Sequence, residues 1–154
     1  MKYIVLILAL LFANQLRADI LQSENGLEVS DTKGLFYILS FDNAPGLALT
    51  EQDISSQIEL RLRAQGIRPV AVSKDPSKPF LHIIVIGNQK AFNIVVSFRR
   101  QVLFTVGEKA YTTTATTWED GTSGTHGDNP DFIIRATLKY LDQFTAAYLK
   151  ANDK

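Results

Sequence analysis

Cysteine is absent from all 154 residues. That excludes disulfides, thiol nucleophiles and thiolate metal sites, so the fold must hold by core packing alone. Histidine occurs only as His82 and His126, and tryptophan only as Trp118. Zinc sites draw several ligands from His and Cys at defined spacing, and this chain has little to offer them. No excess of one charge is present either, with 16 basic and 16 acidic residues. A chain so balanced lacks the electrostatic footprint of a nucleic-acid binder and of a protein held to anionic lipid. After residue 13 no apolar run is long enough to span a bilayer.

The one long apolar run stands at the start, in "MKYIVLILALLFANQLRA". Lys2 supplies the positive start, Ile4 to Ala13 the apolar stretch, and Leu16-Arg17-Ala18 a small-residue exit. This order predicts a secretory signal peptide over 1–18, cut between Ala18 and Asp19. No cysteine follows the run, so a lipid anchor at the mature amino terminus is excluded. Removing 1–18 takes away Lys2 and Arg17 and leaves 14 basic and 16 acidic residues. The remaining length, about 136 residues, suits one ordinary domain. The division expected is a signal peptide over 1–18, a polar lead over 19–33, and one domain over 34–154.

"GLFYILSFD" at 34–42 combines aromatic and branched residues and predicts a buried strand, closed by the turn residues "NAPG". Thr50 and Asp53 then have capping-box spacing. Ile54, Ile58 and Leu62 follow every four residues as one apolar stripe, and Gly66 suits a helix end. "IRPVAV" resumes as a strand and "SKDPSKP" as a loop. "FLHIIVIG" is nearly continuously apolar and predicts a central strand. In "AFNIVVSFRRQVLFTVG", Phe92, Ile94, Val96 and Phe98 share one face by alternation, opposite Asn93, Val95, Ser97 and Arg99. In "KAYTTTATTWE", alternation places Thr112, Thr114 and Thr116 with Trp118, and Tyr111 with Thr113 and Thr117. The last segment, from Asp131, predicts a helix with Ile134, Thr137, Leu141, Phe144 and Tyr148 in line and Ile133 and Tyr140 beside them. The expected fold is α+β: a mixed, largely antiparallel sheet of about five strands, with two helices on one face.

The stretch "ISSQIELRLRAQGIRPVAV", an amphipathic helix ending in glycine and entering an apolar strand, resembles the small amino-terminal domain of the Tol-system periplasmic protein. It is similar also to other short envelope α+β modules. The resemblance covers under a fifth of the chain and implies export and a protein-contact role; it implies no catalytic residues.

Chemistry, if the chain has any, concentrates in "TTWEDGTSGTHGDNPDF" at 116–132. Ser123, His126 and Asp128 are the residue types of a nucleophile, a base and an orienting acid, but the strand–elbow–helix spacing of G-x-S-x-G is missing. Glu119, His126 and Asp128, with Asp120 or Asp131 near, offer nitrogen and oxygen ligands in no recognised metal order. The competing structural reading is a glycine-rich connection into a well-built helix start, with Asn129 or Asp128 as cap, Pro130 in the first turn and Asp131 at the positive helix end. Trp118, at a strand end, is expected to pack under the last helix, with a half-exposed interface anchor as the alternative. Trp118 and His126 are the candidate contact residues, and adjacent Arg99 and Arg100 a candidate anion site. The expectation is a noncatalytic periplasmic or secreted module that binds another envelope protein, without a cofactor and without a membrane span once the signal is removed. The alternative is a small secreted hydrolase or metal-dependent enzyme using 119–131. Oligomeric state is left open. The intact mass of the exported chain should match residues 19–154; a mass that includes 1–18 would show that the leader is retained.

Overall fold

A computed structural model describes residues 26–30, 32, 34–43, 47–70, 77–127 and 129–152. The expected signal peptide, residues 19–25, 31 and 33 of the polar lead, residues 44–46 of the "NAPG" turn, 71–76 of the strand and loop that follow the first helix, and Asp128 lie outside the described residues.

Strand β1 (Leu35–Asn43) is followed by helix α1 (Glu51–Ala64) and the two-residue strand β2 (Pro69–Val70). Strands β3 (Phe80–Gly87), β4 (Ala91–Val106) and β5 (Lys109–Thr125) then precede helix α2 (Pro130–Ala151). The sheet order is β2-β1-β3-β4-β5. Strand β1 is parallel to β2 and β3, whereas the longer β3–β4 and β4–β5 ladders are antiparallel. The expected fold class is therefore correct: a mixed, mostly antiparallel sheet of five described strands carries two described helices on one face. Strand β3 is central, as its unbroken apolar sequence requires.

The helices form where the local signals put them. Thr50 and Asp53 cap α1 reciprocally, with the Asp53 amide donating to the Thr50 hydroxyl at 3.2 Å and the Thr50 amide to the Asp53 carboxylate at 2.9 Å. Gly66, at φ +78°, takes the left-handed turn after α1, and the Ile67 amide folds back to the Leu62 carbonyl at 2.9 Å. Asn129 caps α2, accepting from the Asp131 amide at 3.1 Å, with Pro130 in the first turn.

One core lies between the sheet and both helices. Ile54, Ile58 and Leu62 of α1, and Ile133, Leu141, Phe144 and Tyr148 of α2, meet Leu81, Ile83, Ile94, Val96 and Phe98. The buried α2 stripe passes through Ile133, while Ile134 packs at its margin. Asp142 of α2 receives a two-pronged hydrogen bond from Arg61 of α1, at 2.7 and 2.6 Å, and another from Gln65 at 2.7 Å. These bonds hold the Asp142 carboxyl below the usual carboxylate range, Arg61 contributing most. The polar lead also enters the core: Leu27 is fully buried without being part of a strand. Asn152 donates to its carbonyl at 3.1 Å, and Arg100 bonds the Glu28 carbonyl at 2.9 Å.

Two expectations need correction. The glycine-rich stretch at 121–125 is not a loop but the end of β5, paired with Ala91–Val95. Its glycines serve close approach: a Cβ at Gly121 would collide with the Ile94 carbonyl oxygen and come within 3.1 Å of the Val95 Cα. The face assignment in β5 also changes. Trp118 pairs with Phe98 but Thr116 pairs with Arg99, so Thr117 is an extra residue. This bulge sends Trp118 to the helix-covered face and leaves Thr112, Thr114 and Thr116 on the other. Gly121→Ala should lower stability by about 1–3 kcal/mol through overpacking, read as a lower urea midpoint; an unchanged midpoint would show that β4 yields without cost.

Candidate functional site

Each residue singled out in the sequence has a defined place. Ser123 is exposed on β5, where its hydroxyl accepts from the Asn93 amide nitrogen at 2.7 Å. His126 follows the strand end and is only 4% exposed; its Nε2 donates to the Asn88 carbonyl at 2.8 Å. The His126 backbone amide meets the Lys90 carbonyl at 3.2 Å, so this residue ties the end of β5 to the turn between β3 and β4. Serine and histidine thus have separate partners. Asp128 lies outside the described residues.

Glu119 and His126 are separated by an extended strand, in which six residues rise by about 20 Å. One cation cannot bridge ligands so far apart, because ligand bonds are about 2–2.6 Å long. No group of three or more potential ligands assembles among the described residues. Trp118 is partly buried and packs edge-on against Phe144 of α2, with centroids 5.3 Å apart. Arg99 and Arg100 point to opposite faces, as neighbours on a strand must. Arg100 is engaged on the helix side with the Gly26 and Glu28 carbonyls at 3.3 and 2.9 Å. Arg99 lies on the helix-free face, and its Nε has no described hydrogen-bond partner. The two arginines do not form one anion site.

Sequence reasoning missed a polar pair on that helix-free face. The Ser40 hydroxyl and His82 Nε2 are 2.9 Å apart across the parallel β1–β3 ladder. Their separation by 42 positions leaves no local signal; only strand order and register bring them together. His82 Nδ1 is buried without a described partner, so no acid among the described residues orients the ring as a serine hydrolase requires. Burial, aided by the positive charge of Arg99, pushes the His82 pKa below its ordinary value. On the opposite face Tyr37 donates to Glu59 of α1 at 3.0 Å, and burial, with this bond second, raises its pKa to about 12.

The most distinctive surface lies at the far end of the β4–β5 hairpin. Strand β3 accompanies β4 only from Phe92 to Arg99. Beyond that point, among the described strands, β4 and β5 pair only with each other and project from the sheet as a two-stranded arm. Over Gln101–Val106, six residues span about 20 Å. The arm exposes Leu103 (70%), Val106 (61%), Phe104 (45%) and Tyr111 (44%). Phe104 and Tyr111 stack across the two strands at 5.5 Å, which stiffens it. Gln101 to Val106 and Ala110 to Trp118 contain no charge, leaving Glu108 and Lys109 at the tip. A second surface, a groove of about 370 Å³, lies between the end of β5 and the first turns of α2.

The fold therefore defines a small α+β module with a projecting apolar hairpin. No protein-family model matches the chain, and no curated protein matches it. Among solved structures it is similar to a PelC dodecamer from Paraburkholderia phytofirmans, at 14% identity and a TM-score of 0.46. That match covers 74% of this chain and 88% of the other. A second, an uncharacterised protein, is 12% identical with a TM-score of 0.29, covering 75% and 89%. Likenesses at these scores carry no functional argument. No helix among the described residues is long and apolar enough to cross a membrane.

The depressed His82 pKa gives a signed pH effect. The unfolded chain takes up the His82 proton near pH 6.5, whereas the folded chain does so only at lower pH. Stability is therefore highest above that value and falls as pH drops from it toward the folded pKa. Melting temperatures between pH 7.5 and 5.5 should decline in the native chain and decline less in His82→Gln. Equal slopes would remove His82 as the source.

Proposed function

We propose that the chain is a noncatalytic, exported module that binds another protein of the cell envelope. The observation that carries this reading is the arm. Uncharged strands with four well-exposed large apolar side chains are an association hazard in a protein that keeps them free. The expense is reasonable where a partner covers them. The stacked Phe104–Tyr111 pair holds the arm in shape before contact, which lowers the ordering cost of binding. Its edges add backbone donors and acceptors, so a partner strand can join the hairpin. The apolar leader and its small-residue exit support export, and the helix–glycine–strand element resembling the Tol-system domain is in keeping with a contact role.

In this reading Trp118 supports the arm's base from the core side and is not the contact itself. Arg99 and the Ser40–His82 pair on the helix-free face supply polar contacts beside it. His126 closes the sheet by tying the end of β5 to the β3–β4 turn, and Asn129 and Pro130 start α2.

The double variant Leu103→Ser with Val106→Ser tests the reading, because both side chains are exposed and their loss should leave the melting temperature nearly unchanged. Crosslinked capture from the native envelope should fall at least about tenfold. Undiminished capture by a folded double variant would remove the arm from the interface.

A further inference from the structure

The groove beside β5 has a second recognition chemistry, distinct from that of the arm. Phe92 and Phe132 form its apolar floor, packed edge to face at 5.6 Å, and Tyr140 extends it along α2. Phe132 is 43% exposed. Two cations stand on the rim. The Arg135 guanidinium lies 5.9 Å from the Phe132 ring centre, and the Lys139 ammonium 5.2 Å from that of Tyr140. The ion pairs among the described residues are Arg61–Asp142 and Arg63–Glu59, so neither rim cation meets a described carboxylate.

The other wall is the outer edge of β5, the last strand of the sheet order. Alternate residues of such a strand turn their backbone N–H and C=O groups outward. Thr122 and Gly124, opposite Ile94 and Phe92, turn toward the groove, while Ser123 and Thr125 border it through their backbone, so no bulky side chain covers that edge. Arg135 and Lys139 are one helical turn apart, a rise of about 6 Å. Residues i and i+2 of an extended strand lie on one face about 6.6 Å apart. Two carboxylates at alternate positions of a strand added to β5 therefore match the two cations, while an apolar side chain fills the Phe92–Phe132 floor.

We propose that this groove binds an extended acidic segment of a partner polypeptide, which adds a strand to the edge of β5 and sets alternate carboxylates against Arg135 and Lys139. The proposal deepens the interaction-module reading and rests on it, but it uses a surface apart from the arm. Backbone pairing distinguishes a peptide from a small anionic amphiphile, which would use the floor and the cations alone.

The test uses a fluorescein-labelled seven-residue peptide with glutamate at positions 3 and 5, valine at positions 1 and 7 on the same face, and threonine at positions 2, 4 and 6, followed by anisotropy. Saturable binding to the full chain is expected, weakening as salt rises because the rim charges are exposed. Arg135→Glu with Lys139→Glu should weaken it at least about tenfold and should shift preference to the peptide with lysine at the same positions. Methylating the backbone nitrogens on the pairing edge of the peptide should abolish binding. No binding, equal binding of the lysine peptide to the native chain, or indifference to N-methylation would overturn the proposal. So would self-association of the native chain that the charge-reversed variant loses, which would make a second copy the occupant. Absence of peptide binding to the native chain with arm-dependent capture intact rejects the groove alone. The converse result rejects the arm and leaves the groove standing.

Discussion

The extra residue at Thr117 is the constraint on which the rest of the structure depends. Strand β4 pairs Phe98 with Trp118 and Arg99 with Thr116, so Thr117 has no counterpart. Without it, alternation would put Trp118 on the helix-free face with Thr116. With it, the indole reaches Phe144, joining a cluster in which Phe98, Phe144 and Tyr148 are within 5.6–6.1 Å of one another. The bulged residue is used as well: the Thr117 hydroxyl donates to the Gly26 carbonyl at 2.8 Å and helps Arg100 hold the polar lead against the sheet. The same irregularity marks where the hairpin stops being part of a covered sheet and becomes an arm. Core closure, attachment of the lead and projection of the arm share one position.

The two ends of β5 have opposite characters for related reasons. Near Gly121 and Gly124 the strand is close to β4 and Phe92, and α2 begins beside it, so the edge becomes one wall of a groove. Near Tyr111 nothing among the described elements covers it, and stacking on Phe104 is the arm's own aromatic support. One edge strand thus presents an apolar, uncharged surface at one end and a cation-rimmed one at the other. His126 joins the groove end to the turn after β3 through Asn88, which makes its burial a matter of sheet closure.

Much of the fold was legible because its signals are local. The capping box at Thr50 and Asp53, the stripe Ile54–Ile58–Leu62, the left-handed Gly66 and the Asn129 cap all act within a few residues, and the structure uses each as its chemistry suggests. The candidate site was less legible. Glycines at 121 and 124 read as a loop because their compositional signal is the same whether glycine supplies freedom or room. Here they supply room, and that depends on where Ile94 and Phe92 stand. Arg99 and Arg100 are neighbours in sequence, yet strand alternation parts them, while Ser40 and His82 are brought together across 42 positions.

From the sequence alone came the absence of thiol chemistry, the helices with their caps, the alternation of β4 and the central place of β3. These rest on periodicity and short-range hydrogen bonding, which a chain carries wherever it goes. Register, the faces of Trp118 and the threonines, the Ser40–His82 pair, the free arm and the groove beside α2 were decided only by tertiary structure. Each depends on which strand lies beside which and on a one-residue offset between them. An offset of one residue reverses every side chain beyond it, and no local propensity encodes it.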